Sequence, residues 1–289
     1  MRLDAVILNY NDADTVVKQL SVIHKYEILS RIIVVDNCST DDSLEKLRAV
    51  CREDDKLVLL SADKNGGYGY GNNLGVCYAA NQDQATHVLI ANPDVMMTEV
   101  CLRQLLHMFE NHPDGAIVTA KMQDAQYGDM KNGWPLRGFV RELLSMGPVS
   151  RRLFRCLLEY PDSYTCGRKA VYVDAVHGSM LMVDAGKFLD AGGYDEEIFL
   201  YEEEAVLGWR MKTAGYRSIL VLNQSYRHEH SASISKSFAG ELQRQKLREK
   251  STLHYMKHYL FINPLQEMIA KLWFAGIRAE IRVAGMLKL

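Results

Sequence analysis

The sequence predicts an α/β fold with a mostly parallel central sheet that is flanked by helices. Short apolar runs alternate with amphipathic helical stretches from the first residues onward. Such alternation builds parallel sheets with right-handed crossovers. Several of the runs end in polar residues, at Asn9, Asp36 and Asp94, which would line up along one edge if their strands are parallel. Open α/β sheets bind their ligands at that edge.

The first three strands and two helices follow from hydrophobic periodicity and turn signals. Apolar positions three and four residues apart indicate helices, and short β-branched runs indicate strands. The cluster Ser39–Asp42 supplies the cap and turn residues that open a helix. We expect strands over 5–8, 32–35 and 57–60, and helices over 12–26 and 43–52.

The central stretch is His87–Val95, in which a buried strand ends abruptly. Val88–Ala91 is apolar, and Pro93 cannot donate to a sheet ladder. Asp94 would then lie at the carboxyl end of a central strand, where one carboxylate suits a divalent cation that also holds phosphates. The alternative is that Asp94 caps a helix over 95–109.

Composition and charge exclude several classes of protein. With 289 residues, 48% of them hydrophobic and 24% charged, the chain is expected to form an ordinary globular core. A net charge of −2 argues against a general nucleic-acid binder. The six cysteines form no zinc-like pattern, and we expect reduced thiols. With no apolar signal region and no spanning run, a cytoplasmic protein is expected.

A glycine-rich stretch follows the third strand at 65–73. Its glycines let the backbone approach a ligand closely, and a helix expected from Asn72 to Ala80 would offer its N-terminus to an anion. The spacing matches neither a dinucleotide fingerprint nor a Walker A loop. A surface loop without ligand stays an alternative. The carboxylate of Asp36 could accept hydrogen bonds from a nucleoside, or could simply end its strand in a turn.

Four motifs taken together resemble one family. They are V-I-L-N-Y-N (6–11), V-V-D-N-C-S-T-D (34–41), N-G-G-Y-G-Y-G-N-N-L-G (65–75) and L-I-A-N-P-D-V (89–95). In this order they resemble the inverting family 2 glycosyltransferases of GT-A fold, especially the bacterial rhamnosyltransferase-like branch. The resemblance puts Asp36 on the nucleoside base and Asp94 on the metal, with Asn92 replacing the first acid of the metal motif. The candidate nucleotide-binding residues are Asn9, Asp36, Asn65, Gly66, Asn73 and Asn92.

A second block of motifs, over 174–210, resembles the acceptor half of the same family. Glu203 and Glu204 match its acidic pair, and Glu204 falls where the family keeps its catalytic base. A base is needed because the attacking hydroxyl must lose its proton. Gly178, Asp195 and Glu203 are the other acceptor-side candidates. Acids in a first helical turn can also merely offset the helix dipole, and Glu202 or Glu203 could compete for the base role.

His228 is a further candidate residue of the predicted metal site. The sequence H-E-H is not H-E-x-x-H, so a zincin site fails on spacing. The family resemblance pairs His228 with Ser233, and implies that His228 binds the metal or touches the diphosphate. His230 is expected to be an ordinary surface residue.

The sequence allows more than one role for each of two segments. Residues 121–176 are basic and amphipathic, and we favour a helical flap over a membrane-binding or acceptor-binding segment. Residues 238–289 are helical, and could lie at a membrane interface, pack across the catalytic part or form a homodimer contact. We expect a catalytic domain over 1–235, divided at 120 and 176, and a helical appendage over 236–289.

The expected activity is that of a metal-dependent inverting glycosyltransferase. The resemblance implies a UDP- or dTDP-sugar donor, dTDP-rhamnose among the candidates, and a Mn²⁺ or Mg²⁺ cofactor. The acceptor would be a hydroxyl of a glycan or lipid-linked acceptor in cell-surface polysaccharide synthesis, reached in the cytoplasm or peripherally at the inner face of the membrane. Alternatives are a non-catalytic nucleotide-sugar-binding protein and a nucleotidyltransferase.

Overall fold

A computed structural model describes residues 1–52, 54–124, 128–229 and 240–287. Three sequence predictions therefore lie outside the described residues. They are the surface role of His230, the match at Ser233 and the domain boundary after residue 235.

The central sheet joins ten strands, most of them parallel, as predicted. Its order is β3-β2-β1-β4-β11-β6-β12-β5, with β7 beside β6 and β9 beside β12. The strand β11 runs antiparallel to both of its neighbours. The strands are β1 (Leu3–Asn9), β2 (Leu29–Asp36), β3 (Leu57–Ser61), β4 (His87–Ala91), β5 (Val95–Met96), β6 (Gly115–Asp124), β7 (Gly128–Met130), β8 (Gly133–Trp134), β9 (Ala170–Val173), β10 (Ala175–Val176), β11 (Met180–Asp184) and β12 (Arg217–His228), of which β8 and β10 pair separately.

Helices cover both faces of the sheet, because each buries an apolar stripe against it. Val16 of α1 and Leu105 of α4 belong to one core cluster, and Val76 of α3 and Leu207 of α10 to the other. The helices are α1 (Ala13–Ile23), α2 (Ser43–Cys51), α3 (Gly67–Asn81), α4 (Glu99–Asn111), α5 (Phe139–Met146), α6 (Pro148–Leu153), α7 (Arg155–Leu158), α8 (Asp162–Thr165), α9 (Ala185–Asp190), α10 (Glu203–Thr213), α11 (Glu241–His258) and α12 (Pro264–Leu287).

The register of the parallel strands brings their polar ends together. Asn9 of β1 lies opposite Asp36 of β2, and β4 continues the sheet on the other side of β1. The carboxyl ends of the strands therefore form one edge, as the alternating pattern predicts.

Two element boundaries differ from the sequence predictions. Residues 95–109 are not one helix: Val95 and Met96 form a short strand, and α4 begins at Glu99. The cap of α4 is Thr98, whose side chain accepts a hydrogen bond from the Cys101 backbone N–H, so the alternative that Asp94 caps a helix is wrong. Helix α3 begins at Gly67 rather than Asn72, inside the glycine-rich stretch.

The predicted flap and the C-terminal helices pack on one another. Leu143 and Met146 of α5 share a buried cluster with Met256 of α11 and Phe274 of α12. The other side of α11 packs on the catalytic part through Tyr255, which is fully buried. Among the described residues, no helix is both long and apolar enough to span a membrane.

Candidate active site

A pocket of about 510 Å³ opens at the carboxyl edge of the sheet. Seven parts of the chain contribute to it: the ends of β1, β2, β4 and β12, the start of α3, the turn before β11, and the segment that leads into α10. Its lining residues are Leu8, Tyr10, Asp12, Asn37, Asn65, Gly67, Tyr68, Asn92, Pro93, Asp94, His177, Gly178, Ser179, Phe199, Leu200, Tyr201, Glu203, Glu204 and His228.

One wall of the pocket carries Asp94 and His228. The strand β12 pairs with β5, which puts His228 opposite Val95 and therefore beside Asp94. The imidazole Nε2 of His228 lies 3.2 Å from Asp94 Oδ1, and both side chains are more than nine-tenths buried. The ring of His177 meets that of His228 edge-on at 5.9 Å.

This wall has a composition that fits a divalent cation. None of the described residues that line the pocket is a lysine or an arginine. A bound diphosphate would therefore meet no lysine or arginine among the described lining residues. In the described part of the chain, no group of three or more acidic, Cys or His side chains is arranged to hold a metal. One carboxylate and one imidazole, completed by substrate phosphates and water, are nevertheless a recognised ligand set for Mn²⁺ or Mg²⁺.

The turn that carries Asn92 and Asp94 is fixed from below by Gln19. This buried side chain of α1 donates from Nε2 to the backbone carbonyls of Asn92, at 2.8 Å, and Val95, at 2.9 Å. The backbone N–H of Asn92 in turn donates to the Ser179 carbonyl at 2.8 Å. Sequence reasoning did not find Gln19, because it reads as one more position on an amphipathic helix.

Asn9 and Asp36 form a buried polar cluster beneath the pocket. Asn9 Nδ2 donates to Asp36 Oδ1 at 2.8 Å, and Ser39 donates to the same carboxylate from its hydroxyl at 2.6 Å and its backbone N–H at 3.0 Å. Both predicted nucleotide-binding side chains are fully buried and lie outside the pocket lining. Asn37, the next residue, lines the pocket instead.

The start of α3 lines the pocket through backbone and amide groups. Asn65 Oδ1 accepts hydrogen bonds from Asn37 Nδ2 at 3.1 Å and from the Gly67 backbone N–H at 3.2 Å. Gly67 has φ +89°, and a Cβ there would lie 2.1 Å from the Phe199 carbonyl oxygen. At Gly66 a Cβ would meet the Tyr70 ring at 2.4 Å. Glycine is therefore required for close packing here, in addition to any ligand contact.

Asn73, a predicted nucleotide-binding residue, is used to hold another loop. Its Nδ2 donates to the Tyr194 carbonyl and to Glu196 Oε1, each at 3.0 Å. Its Oδ1 accepts from the Tyr194 backbone N–H at 2.9 Å. The side chain is outside the pocket lining, and it joins α3 to the segment that leads into α10.

The second wall of the pocket carries Glu204. Its Oε1 accepts a hydrogen bond of 3.2 Å from the Gly178 backbone N–H. The Gly178 carbonyl accepts one of 2.5 Å from the Tyr68 hydroxyl. The predicted base is thus held between the turn before β11 and the first turn of α10, and its carboxylate faces the same pocket as Asp94.

The two neighbouring glutamates differ from Glu204 in their surroundings. Glu203 is 7% exposed, and burial together with the nearby Glu204 raises its pKa, which favours the neutral acid. Glu202 is outside the pocket lining and accepts a hydrogen bond of 2.9 Å from the Thr252 hydroxyl. Burial and the adjacent Glu142 raise the pKa of Glu202 to about 8. Of the three acids, Glu204 is the one that both lines the pocket and is oriented by the Gly178 backbone N–H.

Asp195, an acceptor-side candidate, anchors the C-terminal helices. Its Oδ2 accepts from His254 Nε2 at 2.8 Å and from the Tyr259 hydroxyl at 2.7 Å. Burial acts to raise the pKa of Asp195, but these two hydrogen bonds, together with one from the Glu197 backbone N–H, outweigh it and lower the pKa. Asp195 lies outside the pocket lining, so it positions the surrounding loop and does not face the pocket.

Sequence reasoning missed several pocket residues, among them Tyr68 and His177. Tyr68 is the second residue of α3, and its position was hidden because the helix begins earlier than expected. His177 directly precedes the Gly178 turn, and its Nδ1 lies 2.9 Å from the Ser179 hydroxyl. A histidine immediately before a small-residue turn was the available signal.

Sequence comparison finds glycosyltransferases among known proteins. The sequence model described as "Glycosyl transferase family 2" matches residues 4–168. The low-salt glycan biosynthesis hexosyltransferase Agl10 of Haloferax volcanii is 27% identical over 73% of this chain and 61% of its own. Rhamnosyltransferase WbbL of Escherichia coli is 25% identical over 87% of this chain and 91% of its own. The N-acetylglucosaminyl-diphospho-decaprenol L-rhamnosyltransferase of Mycobacterium tuberculosis is 23% identical over 87% and 79% of the respective chains.

Solved structures share the fold. GalNAc-T7 with UDP, GalNAc and Mn²⁺ superposes with a TM-score of 0.61 at 12% identity, over 79% of this chain and 43% of its own. The mannosyltransferase PcManGT of Pyrobaculum calidifontis with GDP-Man and Mn²⁺ gives a TM-score of 0.60 at 13% identity, over 99% and 75% of the chains. These glycosyltransferases confirm the GT-A fold prediction.

The extent of these matches fixes what they establish. The chain spans less than two-thirds of the Haloferax protein and of GalNAc-T7. The family match, however, covers more than half of the 289 residues and includes the strand ends that carry Asn9, Asp36 and Asp94. The chain therefore belongs to glycosyl transferase family 2.

Proposed function

We propose that the protein is an inverting glycosyltransferase that moves a sugar from a nucleoside-diphosphate donor to an acceptor hydroxyl. The observation that carries the proposal is the position of Asp94 and His228 on one wall, and of Glu204 on another wall, of the same 510 Å³ pocket. A direct displacement needs charge stabilisation at the leaving diphosphate and a base at the attacking hydroxyl. This pocket offers a group for each task.

Glu204 is proposed as the general base. The acceptor oxygen forms the new bond to the anomeric carbon as the bond to the diphosphate breaks, and the hydroxyl proton passes to a carboxylate oxygen of Glu204. One displacement at the anomeric carbon inverts its configuration. The hydrogen bond from the Gly178 backbone N–H keeps the carboxylate oriented while leaving Glu204 Oε2 for the acceptor.

Asp94 and His228 are proposed to hold a Mn²⁺ or Mg²⁺ ion together with the donor diphosphate. When bound, the ion would supply Lewis-acid stabilisation of the negative charge on the departing group. The pocket supports this role because its described lining provides acceptor oxygens and imidazole but no lysine or arginine. Gln19 keeps Asp94 at the edge of the pocket through the turn that it binds.

For the donor, we propose a UDP- or dTDP-sugar whose base lies near Asn37 and Asn65. Asp36 and Asn9 would contribute by holding the loop at Ser39, and Asp36 reaches a base directly only if the Ser39 hydroxyl gives up its hydrogen bond. For the acceptor, we propose a glycan or lipid-linked hydroxyl in cell-surface polysaccharide synthesis, reached in the cytoplasm at the inner face of the cell membrane. The names of the rhamnosyltransferase relatives support this choice.

The test is a panel of nucleotide sugars with Mn²⁺ or Mg²⁺, scored for diphosphate release and for the transferred sugar. Wild-type protein should turn over at least one donor, and the anomeric configuration of its product should be inverted. Binding of a nucleoside diphosphate without turnover of any donor would instead identify a non-catalytic nucleotide-sugar-binding protein. Pyrophosphate release from a nucleoside triphosphate and a sugar phosphate would identify a nucleotidyltransferase.

A further inference from the structure

The surface formed by α5–α7 and α12 concentrates the exposed apolar side chains of the protein. Among the described residues, 12 of the 15 large hydrophobic side chains that are exposed lie in or next to these helices. Contiguous exposed apolar surface of this kind marks an interaction site. These side chains are Val140, Val149, Leu153, Phe154, Leu157, Phe261, Leu265, Met268, Ile269, Leu272, Trp273 and Val283.

Helix α12 is apolar on two opposite faces. Ala270, Phe274 and Ile277 point inward and are at most 4% exposed. On the opposite side, Leu265 and Leu272 are 60% and 66% exposed. With 3.6 residues per turn, the exposed stripe repeats every three or four positions along the helix. It runs through Leu265, Met268, Ile269, Leu272, Gly276, Ala279 and Val283.

The helices α5 and α6 are attached directly to α12. The Trp273 indole N–H donates to the Leu143 carbonyl at 2.8 Å, and the Val149 backbone N–H donates to Glu280 Oε1 at 3.3 Å. The exposed apolar residues of α6 and α7 therefore belong to the same end of the molecule as the stripe on α12. The exposed apolar residues of α5–α7 and the exposed stripe on α12 are together called the apolar end surface.

Positive charge is concentrated in the same two segments. Residues 137–158, which include α5–α7, contain five arginines and one glutamate, and residues 264–283 of α12 contain three Lys or Arg and two Glu. The two segments thus carry net charges of +4 and +1, whereas the whole chain carries −2. Exposed Arg152 and Arg282 lie next to the apolar side chains. Basic residues beside an apolar helical face are the pattern of helices that lie in the surface of an anionic membrane.

We propose that the apolar end surface docks the protein on an anionic lipid bilayer. The charge favours this occupant, because two copies of a surface this positive would repel one another. Docking deepens the proposed function, on which it rests for the lipid-linked acceptor: the bilayer would present that acceptor to a pocket held at a fixed position. The C-terminal helices contact the pocket wall directly: Ser251 of α11 donates to the Leu200 carbonyl at 2.7 Å and Thr252 to Glu202 at 2.9 Å.

The test is binding to vesicles in the absence of donor and acceptor, so that it is independent of catalysis. We expect wild-type protein to float with phosphatidylglycerol vesicles, to bind phosphatidylcholine vesicles weakly, and to be released in part by salt. Leu272→Glu should weaken binding at least about tenfold, because an exposed leucine that would insert into the bilayer is lost and a negative charge is added. Arg152→Glu together with Arg282→Glu should weaken binding to the anionic vesicles alone. Val100→Glu is the matched control, because Val100 is 63% exposed on α4, away from this surface. This variant should bind the vesicles as tightly as wild type.

Three results would overturn the proposal. The first is equal binding by Leu272→Glu and wild type, and the second is no preference for the anionic lipid. The third is a lipid-free dimer, detected by light scattering, that Leu272→Glu dissociates, since the occupant would then be a second copy of the chain. Vesicle binding without turnover of any donor would leave the docking surface in place while contradicting the proposed function.

Discussion

The backbone N–H of Gly178 donates a 3.2 Å hydrogen bond to Glu204 Oε1, and this bond joins the turn before β11 to the first turn of α10. The residue that would receive the acceptor proton is therefore oriented by a backbone N–H. A Cβ at Gly178 would lie 3.4 Å from Glu204 Oε1 and 3.3 Å from the Tyr68 hydroxyl oxygen, so a side chain there would crowd this bond. Tyr68 extends the connection to α3 through its bond to the Gly178 carbonyl. Helix α3, the turn before β11 and α10 are linked at the pocket by these contacts.

Glu204→Gln tests the base directly. The amide can still accept from the Gly178 N–H but cannot take up a proton, so we expect kcat to fall by about 10²- to 10⁴-fold while the KM for the donor stays near wild type. Steady-state transfer assays give both values. Glu204→Asp should keep part of the activity, since it preserves the carboxylate at a shorter reach.

Glu203→Gln is the matched control for that experiment. Its carboxyl group is buried with a raised pKa, and substitution by a neutral isostere should change kcat by less than about tenfold. If Glu203→Gln abolishes transfer while Glu204→Gln does not, the two roles are exchanged.

The pair of Asp94 and His228 predicts dependence on a divalent cation. EDTA should stop transfer, and added Mn²⁺ or Mg²⁺ should restore it. Asp94→Asn should lower kcat/KM by roughly 10²-fold or more and raise the Mn²⁺ concentration needed for half-maximal rate, because charge stabilisation at the diphosphate is lost. The control Asp190→Asn removes a carboxylate that accepts from Tyr216 outside the pocket and should leave both quantities unchanged. An unaltered Mn²⁺ requirement in Asp94→Asn would refute the assignment.

Gly67→Ala tests the packing of the glycine-rich segment. The added Cβ would lie 2.1 Å from the Phe199 carbonyl oxygen at a residue whose φ is +89°, so the free energy of unfolding should fall by at least about 2 kcal/mol. Urea unfolding measures the loss. Gly276→Ala is the control: no heavy atom lies within 4 Å of its Cβ position in α12, and a gain of about 0.5–1 kcal/mol is expected. Equal effects in the two variants would show that the close approach to Phe199 is absent.

The sequence was sufficient to predict the site where local pattern determines the structure. Asp94 follows an apolar run that Pro93 ends, so its place at the carboxyl edge depends on a few neighbouring residues. The interpretation of Asn73 depends instead on Tyr194, 121 residues away, and that of Asp195 on His254, 59 residues away. In the sequence, each of these polar side chains is a candidate ligand-binding group, because the long-range hydrogen bonds that occupy it are visible only in the structure.

The C-terminal helices illustrate the same limit. Their periodicity predicted helices, but an apolar stripe on a helix does not specify its partner. Only the structure shows that one face of α12 packs on α5 while the other is exposed. Asp94 illustrates the reverse case, in which the cap at Thr98 removes an alternative that propensity alone favours.

The pKa of Glu202 predicts a pH dependence of stability. Burial and the adjacent Glu142 raise this pKa from 4.5 to about 8 in the folded protein. The folded state therefore binds more protons than the unfolded state between these values, so the free energy of unfolding should fall as pH rises from about 5 to 8 and level off above pH 8.

Glu202→Gln keeps the acceptor for the Thr252 hydroxyl and removes the ionisation. We expect this variant to show a shallower downward slope between pH 6 and 8, in urea unfolding measured at intervals of half a pH unit, and to be more stable than wild type at pH 8. Part of the slope should remain, because burial also raises the pKa of Glu203. Asp4→Asn is the comparison, because burial raises the pKa of Asp4 only to about 6 and its removal should flatten the slope below pH 6. A Glu202→Gln profile parallel to that of wild type from pH 6 to 8 would show that Glu202 is ionised throughout that range.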